Sequence, residues 1–299
     1  MTTTDAGVSG DDPAADAPDD PDDAALALAE EPDLSPRKRA RAAFRALLLR
    51  DLTVLDRDLK EFIPNTLMQP AMLVFVFTYL FPRIGQGIGG SGNEARFSTL
   101  LLGGMIAQSI IFQGLFRVAL PLARELDVTN ELEDRVLAPV SIRTIAFEKI
   151  VAGALQGLFA ALVVFPVAAF LPATPIYLQA NWLVLATIVP LACYTSAALG
   201  LTIGTRLEPR VVPLLAGFIA LPLGFFGAIF YTWDALASIP WLQYLVLLNP
   251  LVYMSEGLRA GLTIGVVHMP LGAVYGALLA FAALFTVSGV TGFKKRVLS

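Results

Sequence analysis

Histidine and cysteine, the residues that most often build metal sites and disulfides, are almost absent from this chain of 299 residues. Only His268 and Cys193 occur, which excludes an intrachain disulfide and any metal site that needs several such ligands. The sequence also lacks H-E-x-x-H, G-x-S-x-G and a glycine before any of its lysines, which a P-loop requires. We therefore expect no catalytic residue, no metal and no bound cofactor in this chain.

Charged residues are the second deficit, at 15% of the chain against about 25% in an average soluble domain. They are missing altogether from six stretches, which are 62–82, 97–116, 150–205, 211–233, 235–255 and 260–293. About 20 apolar residues cross the hydrocarbon core of a bilayer, and a charge at the centre costs roughly 2.5–3.5 kcal/mol. The pattern therefore indicates an integral membrane protein. It also lacks the intramembrane acids that a proton-coupled carrier usually needs.

The predicted fold is an all-α membrane protein with six crossing helices in a domain over 62–293. The run 150–205 is too long for one helix and breaks at Pro172-Ala-Thr-Pro175, where a loop is indicated. The predicted crossings are about 62–82, 97–120, 148–171, 181–205, 211–232 and 271–293.

The run 235–255 is long enough to cross, but Pro240, Asn249 and Pro250 divide it into short pieces. Six crossings put 17 basic residues on the side of the N-terminus and three on the other, which predicts that both termini are cytoplasmic. A seventh crossing would move the basic end, 294–299, to the outside. We therefore predict that 235–258 is a re-entrant pair of short helices on the outer face.

Two segments precede the first crossing. Residues 1–36 carry eleven acids and no base, and we expect a disordered acidic tail there. Residues 37–61 are expected to form a basic amphipathic helix in the cytoplasmic interface, because apolar residues recur every three or four positions. This stripe consists of Phe44, Leu48, Leu52, Leu55 and Leu59. The helix is either a plain membrane anchor or a lever that connects to a cytoplasmic partner.

A short charged helix is predicted over 130–138, between the second and third crossings. Asn130 and Glu133 have the spacing of a capping box, Pro139 ends the helix, and Ser141 can cap the next one. This helix is either an ordinary connector or a rigid contact that can push on two crossings.

Three segments together resemble the permease subunits of type-2 ABC exporters, a family that includes daunorubicin-resistance and polysaccharide-export permeases. The segments are Arg50-Asp-Leu…Gln69-Pro70, Glu131-Leu-Glu-Asp-Arg-Val-Leu-Ala-Pro139-Val-Ser-Ile-Arg143, and Asn249-Pro250-Leu-Val-Tyr253…Glu256-Gly-Leu-Arg259. The resemblance covers about 37–296, which leaves out only the acidic tail.

The resemblance implies that two permease copies form the pathway, as a homodimer or a related heterodimer, and that two cytoplasmic ATPases bind ATP beneath them. It implies an ATPase-docking coupling helix made by Glu131, Leu132, Glu133, Arg135 and Pro139. It also implies an outer gate shaped by Asn249, Tyr253, Glu256 and Arg259, in which the i, i+3 spacing lets Glu256 and Arg259 pair. The expected setting is the plasma (cell inner) membrane, with lipid and no nucleic acid among the partners.

The substrate is expected to be hydrophobic or amphipathic, a drug or a lipid-like molecule, because charge-free spans offer no group that binds a specific ion. The resemblance implies that it is moved outward. A polysaccharide or glycolipid exporter would share the architecture and stays open as an alternative. A membrane-embedded lipid-modifying enzyme, with Glu256 and His268 as its candidate groups, is a second alternative, and a non-transporting scaffold is a third.

Overall fold

The computed structural model describes residues 36–84, 94–125, 141–173 and 176–298. The chain forms two compact units, Met1–Arg39 and Ala40–Ser299, and all but the last few residues of the first lie outside the described ranges. The predicted acidic tail, apart from its last residue, and the predicted coupling helix also fall outside them. Every described helix lies in the second unit, except that the first helix, α1, begins in the last residues of the first.

Helices make up most of the described chain, which confirms the predicted all-α class. They are α1 (Pro36–Arg57), α2 (Leu59–Arg83), α3 (Glu94–Arg124), α4 (Ile142–Phe170), α5 (Trp182–Arg206), α6 (Val212–Phe225), α7 (Pro240–Leu245), α8 (Pro250–Leu262) and α9 (Leu271–Leu298). Helix α2 is π-helical over Phe75–Leu80, and 3₁₀ turns flank α7 at Asp234–Ser238 and Val246–Leu248. The one β-type pairing in the described ranges is an isolated bridge between Leu178 and Thr263.

Five helices are long and apolar enough to cross a membrane, namely α2, α3, α4, α5 and α9. They correspond to five of the six predicted crossings. At the sixth, predicted over 211–232, the helix α6 ends at Phe225 after 14 residues. A helix of that length spans about 21 Å, which is less than the roughly 30 Å of a hydrocarbon core. Side chains of α8 and its cap bond to backbone carbonyls around this end of α6.

Helix α3 is the centre of the bundle. In its most apolar stretch 78% of the residues are buried inside the protein, whereas the corresponding value is 22% for α2 and for α9. Helices α4, α5 and α8 pack around it. The contact with α5 is close because Gly200 has no side chain: a Cβ there would lie 2.6 Å from the Leu115 carbonyl oxygen.

The interfacial helix predicted over 37–61 corresponds to α1, which ends earlier than expected. Asp58, between α1 and α2, has φ −91° and ψ 5°, and its carbonyl accepts the Phe62 N–H at 2.8 Å. Of the predicted stripe, Phe44, Leu48, Leu55 and Leu59 are half-buried, while Leu52 lies within α1. Phe44 reaches α4, where its ring centroid lies 6.3 Å from that of Phe147.

Candidate functional site

The residues predicted as an outer gate lie together on α8 and at its start. Asn249 is the N-cap, and its Oδ1 accepts the Leu251 N–H at 2.9 Å. Pro250 occupies the first helical position, where no N–H is needed. Tyr253 is 9% exposed, and its hydroxyl donates to the Leu247 carbonyl at 3.1 Å. Burial raises the pKa of this hydroxyl, so it remains a donor.

Glu256 and Arg259 form an ion pair inside the protein. Arg259 Nη1 donates to Glu256 Oε1 at 3.1 Å. The side chain of Arg259 is 0% exposed and that of Glu256 is 1% exposed. The spacing of these residues predicted this pair, and the structure contains it. The carboxylate also accepts the N–H groups of Trp233 and Met269, each at 2.8 Å. Glu256 therefore fastens α8 to the segment before α7 and to the segment before α9.

Arg259 connects α8 to α3 and to the turn after α6. Its Nε donates to the Leu100 carbonyl of α3 at 3.1 Å. Its Nη2 donates to the carbonyls of Ala228 and Ile229, the latter at 3.0 Å. Burial lowers the pKa of the guanidinium and the Glu256 carboxylate raises it, and an arginine keeps its proton under both influences.

Glycine in α3 makes room for this arrangement. A Cβ at Gly103 would lie 2.8 Å from Arg259 Cγ. A Cβ at Gly104 would lie 2.6 Å from the Ile229 carbonyl oxygen. The consecutive glycines thus admit the arginine and the turn after α6 against the face of α3.

The polar side chains of α8 also explain why α6 ends at Phe225. Asn249 Nδ2 donates to the Leu223 carbonyl at 2.8 Å, and Ser255 Oγ donates to the Gly227 carbonyl at 2.9 Å. With the two Arg259 contacts, four carbonyls between 223 and 229 therefore bond to side chains of α8 or its cap. Ala228 takes the left-handed conformation, with φ 54°, which stops a helix. These carbonyls therefore accept hydrogen bonds from side chains of α8 and its cap instead of from the backbone N–H groups of a continuing helix.

A second feature is an apolar cavity of about 500 Å³ between α2, α3 and α6. Its lining includes Phe77, Leu221 and Phe230, and two amides, Gln69 and Gln108. Gln108 is 5% exposed, and its Oε1 has no hydrogen-bond partner among the described residues. A cavity of this size with a few polar groups is typical of a small-molecule site. Sequence reasoning missed it, although the two glutamines stand out as polar residues in charge-free spans.

A third feature is an ionic cluster that joins α1, α3 and α4. Lys149 in α4 lies 3.0 Å from Glu125, which follows α3, and 3.9 Å from Asp51 in α1. The lysine side chain is 9% exposed. Glu125 and Ser141 are the described residues on either side of the predicted coupling helix. Ser141 caps α4, since its Oγ accepts the Thr144 N–H at 3.2 Å, as predicted from the sequence.

The predicted docking residues Glu131, Leu132, Glu133, Arg135 and Pro139 lie outside the described residues. Within the described ranges no group of three or more His, Cys, Asp or Glu side chains could hold a metal ion. The α8 cluster and the Lys149 cluster are therefore structural, and the cavity is the candidate binding site.

A bundle in which five helices are long and apolar enough to cross a membrane defines a multi-pass membrane protein. The sequence pattern of the ABC-2 type transporter family matches residues 42–263, and the chain belongs to this family. It is 27% identical to the inner membrane transport permease YadH of Escherichia coli K12 over 223 residues. This aligned region covers 74% of this chain and 84% of YadH. The YadH proteins of Escherichia coli O157:H7 and Shigella flexneri match with the same identity and coverage.

Membership makes this chain a multi-pass transport permease that works in a membrane with a separate ATPase.

Proposed function

We propose that this chain is the permease subunit of an ATP-driven exporter that moves a hydrophobic or amphipathic substrate outward across the plasma (cell inner) membrane. The relatives that carry the name inner membrane transport permease support the location. Two permease copies, identical or related, would form the pathway, with one ATPase beneath each.

The observation that carries the proposed substrate class is the cavity between α2, α3 and α6. Its lining contains no Asp, Glu, Lys or Arg, so it offers little to an ionic or heavily hydroxylated molecule. The amides of Gln69 and Gln108 supply donors and acceptors for a few polar groups of an amphipathic molecule. This favours a drug or lipid-like substrate over the alternative of a polysaccharide.

We further propose six crossings with both termini in the cytoplasm. The sixth would consist of α6 together with the non-helical residues 226–233. Backbone without helical bonds is tolerated at membrane depth only where protein satisfies it. Ser255 donates to the Gly227 carbonyl, and Arg259 donates to the carbonyls of Ala228 and Ile229, so α8 supplies partners to three carbonyls of this segment. Helices α7 and α8 would then form the re-entrant pair on the outer face.

For energy coupling we propose that Glu131, Leu132, Glu133, Arg135 and Pro139 dock into the ATPase. Movement of this segment would reach α1 through Lys149, because the lysine contacts both Glu125 beside the segment and Asp51 in α1. This favours α1 as a lever over a plain anchor. Asn249, Tyr253, Glu256 and Arg259 would hold the outer end of the pathway in shape and would not touch substrate.

Transport is also favoured over lipid-modifying chemistry by the state of Glu256. Its carboxylate accepts three hydrogen bonds, one from Arg259 and two from backbone N–H groups, and the residue is 0% exposed. A general acid or base must reach the substrate, which a side chain so enclosed does not.

The test is ATP-dependent uptake of a fluorescent lipophilic drug by inverted membrane vesicles that contain the permease and its ATPase. Leu221→Trp adds bulk at the cavity, and Leu214→Trp is a matched control on the same helix, since Leu214 is similarly exposed (67% against 63%) and does not line the cavity. We expect the first variant to reduce uptake roughly tenfold, equivalent to about 1.4 kcal/mol, and the second to leave it unchanged. Equal uptake by both variants would contradict the cavity as the substrate path.

A further inference from the structure

Two cavities lie side by side where α4 ends and α5 begins. The first, of about 380 Å³, has only apolar residues in its lining, contributed by α3, α4, α5, α8 and the segment before α5. Leu162 and Phe165 of α4 and Leu258 of α8 are among them. The volume falls within the usual range of ligand pockets.

The second cavity, of about 430 Å³, is polar. Gln179, Asn181 and Thr263 contribute its hydrogen-bonding side chains, and no Asp, Glu, Lys or Arg lines it. The two cavities share Ala180 and Trp182 in their linings, so they adjoin at these residues. The pair therefore forms one amphipathic site.

We propose that this site binds one membrane phospholipid and does not select an anionic headgroup. An acyl chain would occupy the apolar cavity, and the headgroup and ester oxygens would lie against Gln179, Asn181 and Thr263. The site is at the end of two candidate spans, which is where lipid headgroups meet the protein. Trp182, which is 78% exposed, has the amphipathic ring that favours this depth.

The chemistry of the polar cavity gives no advantage to an anionic headgroup. The Asn181 Oδ1 is engaged as the N-cap of α5, where it accepts the Val184 N–H at 3.3 Å, which leaves the amide Nδ2 to donate. Thr263 Oγ1 donates to the Arg259 carbonyl at 2.8 Å and keeps lone pairs to accept. Neutral donors and acceptors without a lysine or arginine give no preference for an anionic lipid over a zwitterionic one.

A lipid at this site would also brace α8. The Asn181 N–H donates to the Gly261 carbonyl at 2.8 Å, and the Gln179 N–H donates to the Leu262 carbonyl at 2.9 Å. The segment that lines both cavities is thus fastened to the last turn of the helix that carries Arg259. With the topology of the proposed function, the lipid would belong to the outer leaflet. The existence of the site does not depend on that function.

The experiment is native mass spectrometry of the full-length chain, delipidated in detergent and titrated with dioleoyl phosphatidylcholine or dioleoyl phosphatidylglycerol. Ala180→Phe places a ring where the two cavities join, at an exposed residue. Ala237→Phe is the matched control, at an exposed alanine that lines neither cavity. We expect one tightly bound phosphatidylcholine per chain, held at least as strongly as phosphatidylglycerol. Ala180→Phe should weaken the binding roughly tenfold, the effect of excluding about two methylene groups, while Ala237→Phe binds as the unaltered chain does.

Equal binding by Ala180→Phe and the unaltered chain would overturn the site, as would the absence of any tightly bound lipid, for instance if a second permease copy covers it. Tighter binding of phosphatidylglycerol would overturn the headgroup assignment. Copurification of an ATPase and drug uptake are measured separately, so failure of the lipid site leaves the proposed function standing.

Discussion

Arg259 offers the sharpest test of how the α8 cluster holds this fold, through the substitution Arg259→Met. The side chain makes an ion pair with Glu256 and donates to carbonyls on α3 and on the turn after α6. Removal of one partner of a buried pair costs about 3–5 kcal/mol, because the other charge is left without compensation. The lost bonds to carbonyls are part of the same change, so we expect a total in that range and a fall in Tm on the order of 10 °C.

The chain supplies its own probe for this measurement. Cys193 is the only cysteine in the sequence and is 1% exposed within α5, so a thiol-reactive fluorogenic dye reports on unfolding. Arg206→Gln is the control, because Arg206 is exposed and its Nη2 donates to Thr291 Oγ1, a surface contact, at 2.9 Å. It should change the free energy of unfolding by less than about 0.5 kcal/mol.

A double variant separates a structural cluster from an ordinary ion pair. Replacement of both members of a buried pair by apolar residues is often neutral. Here Glu256→Leu with Arg259→Met would still leave the Trp233 and Met269 N–H groups and the Ile229 carbonyl without their partners. We expect the double variant to stay at least about 3 kcal/mol below the unaltered chain, since each buried orphan group costs about 1–3 kcal/mol. A double variant as stable as the unaltered chain, or a single variant within about 1 kcal/mol of it, would refute this reasoning.

Three other substitutions test single contacts and the proposed topology. Gly104→Ala should destabilise the protein by about 1–3 kcal/mol in the same dye assay, because the added Cβ meets the Ile229 carbonyl, whereas Gly272→Ala, with no atom within 4 Å, should not; equal Tm values would contradict the close packing. Glu133→Arg should weaken copurification of the ATPase while Glu208→Arg, a charge reversal in the other proposed cytoplasmic loop, should not; unchanged copurification would contradict the proposed docking residues. In a Cys193→Ala background, single cysteines that replace the exposed Ser238 and Ile264 should react with an impermeant reagent added outside. A single cysteine that replaces Glu208 should react only after the inner face is made accessible. The reverse pattern would contradict the proposed orientation.

The sequence was most informative where a local rule decides the structure. The absence of charge located five apolar helices, because a membrane excludes charge along the whole length of a span. Asn249 and Pro250 predicted a break within 235–258, and α8 begins there, since asparagine at the cap and proline at the first helical position are local preferences. The i, i+3 spacing of Glu256 and Arg259 was enough to predict their ion pair.

The features that depend on distant contacts were not visible in the sequence. The early end of α6 depends on donors from Asn249, Ser255 and Arg259, which are some thirty residues further along the chain. The hydrophobicity of residues 211–232 does not predict those bonds. The cavity between α2, α3 and α6 likewise required their packing, although Gln69 and Gln108 gave a signal as polar residues in apolar spans.

The most direct measurement is affinity purification of the tagged chain from its native membrane in mild detergent with ATP, followed by identification of the proteins that accompany it. As the permease of an ATP-driven exporter, the chain should bring down a soluble subunit with a P-loop in equal amount. Stable, folded permease that carries no such ATPase would contradict the proposed function.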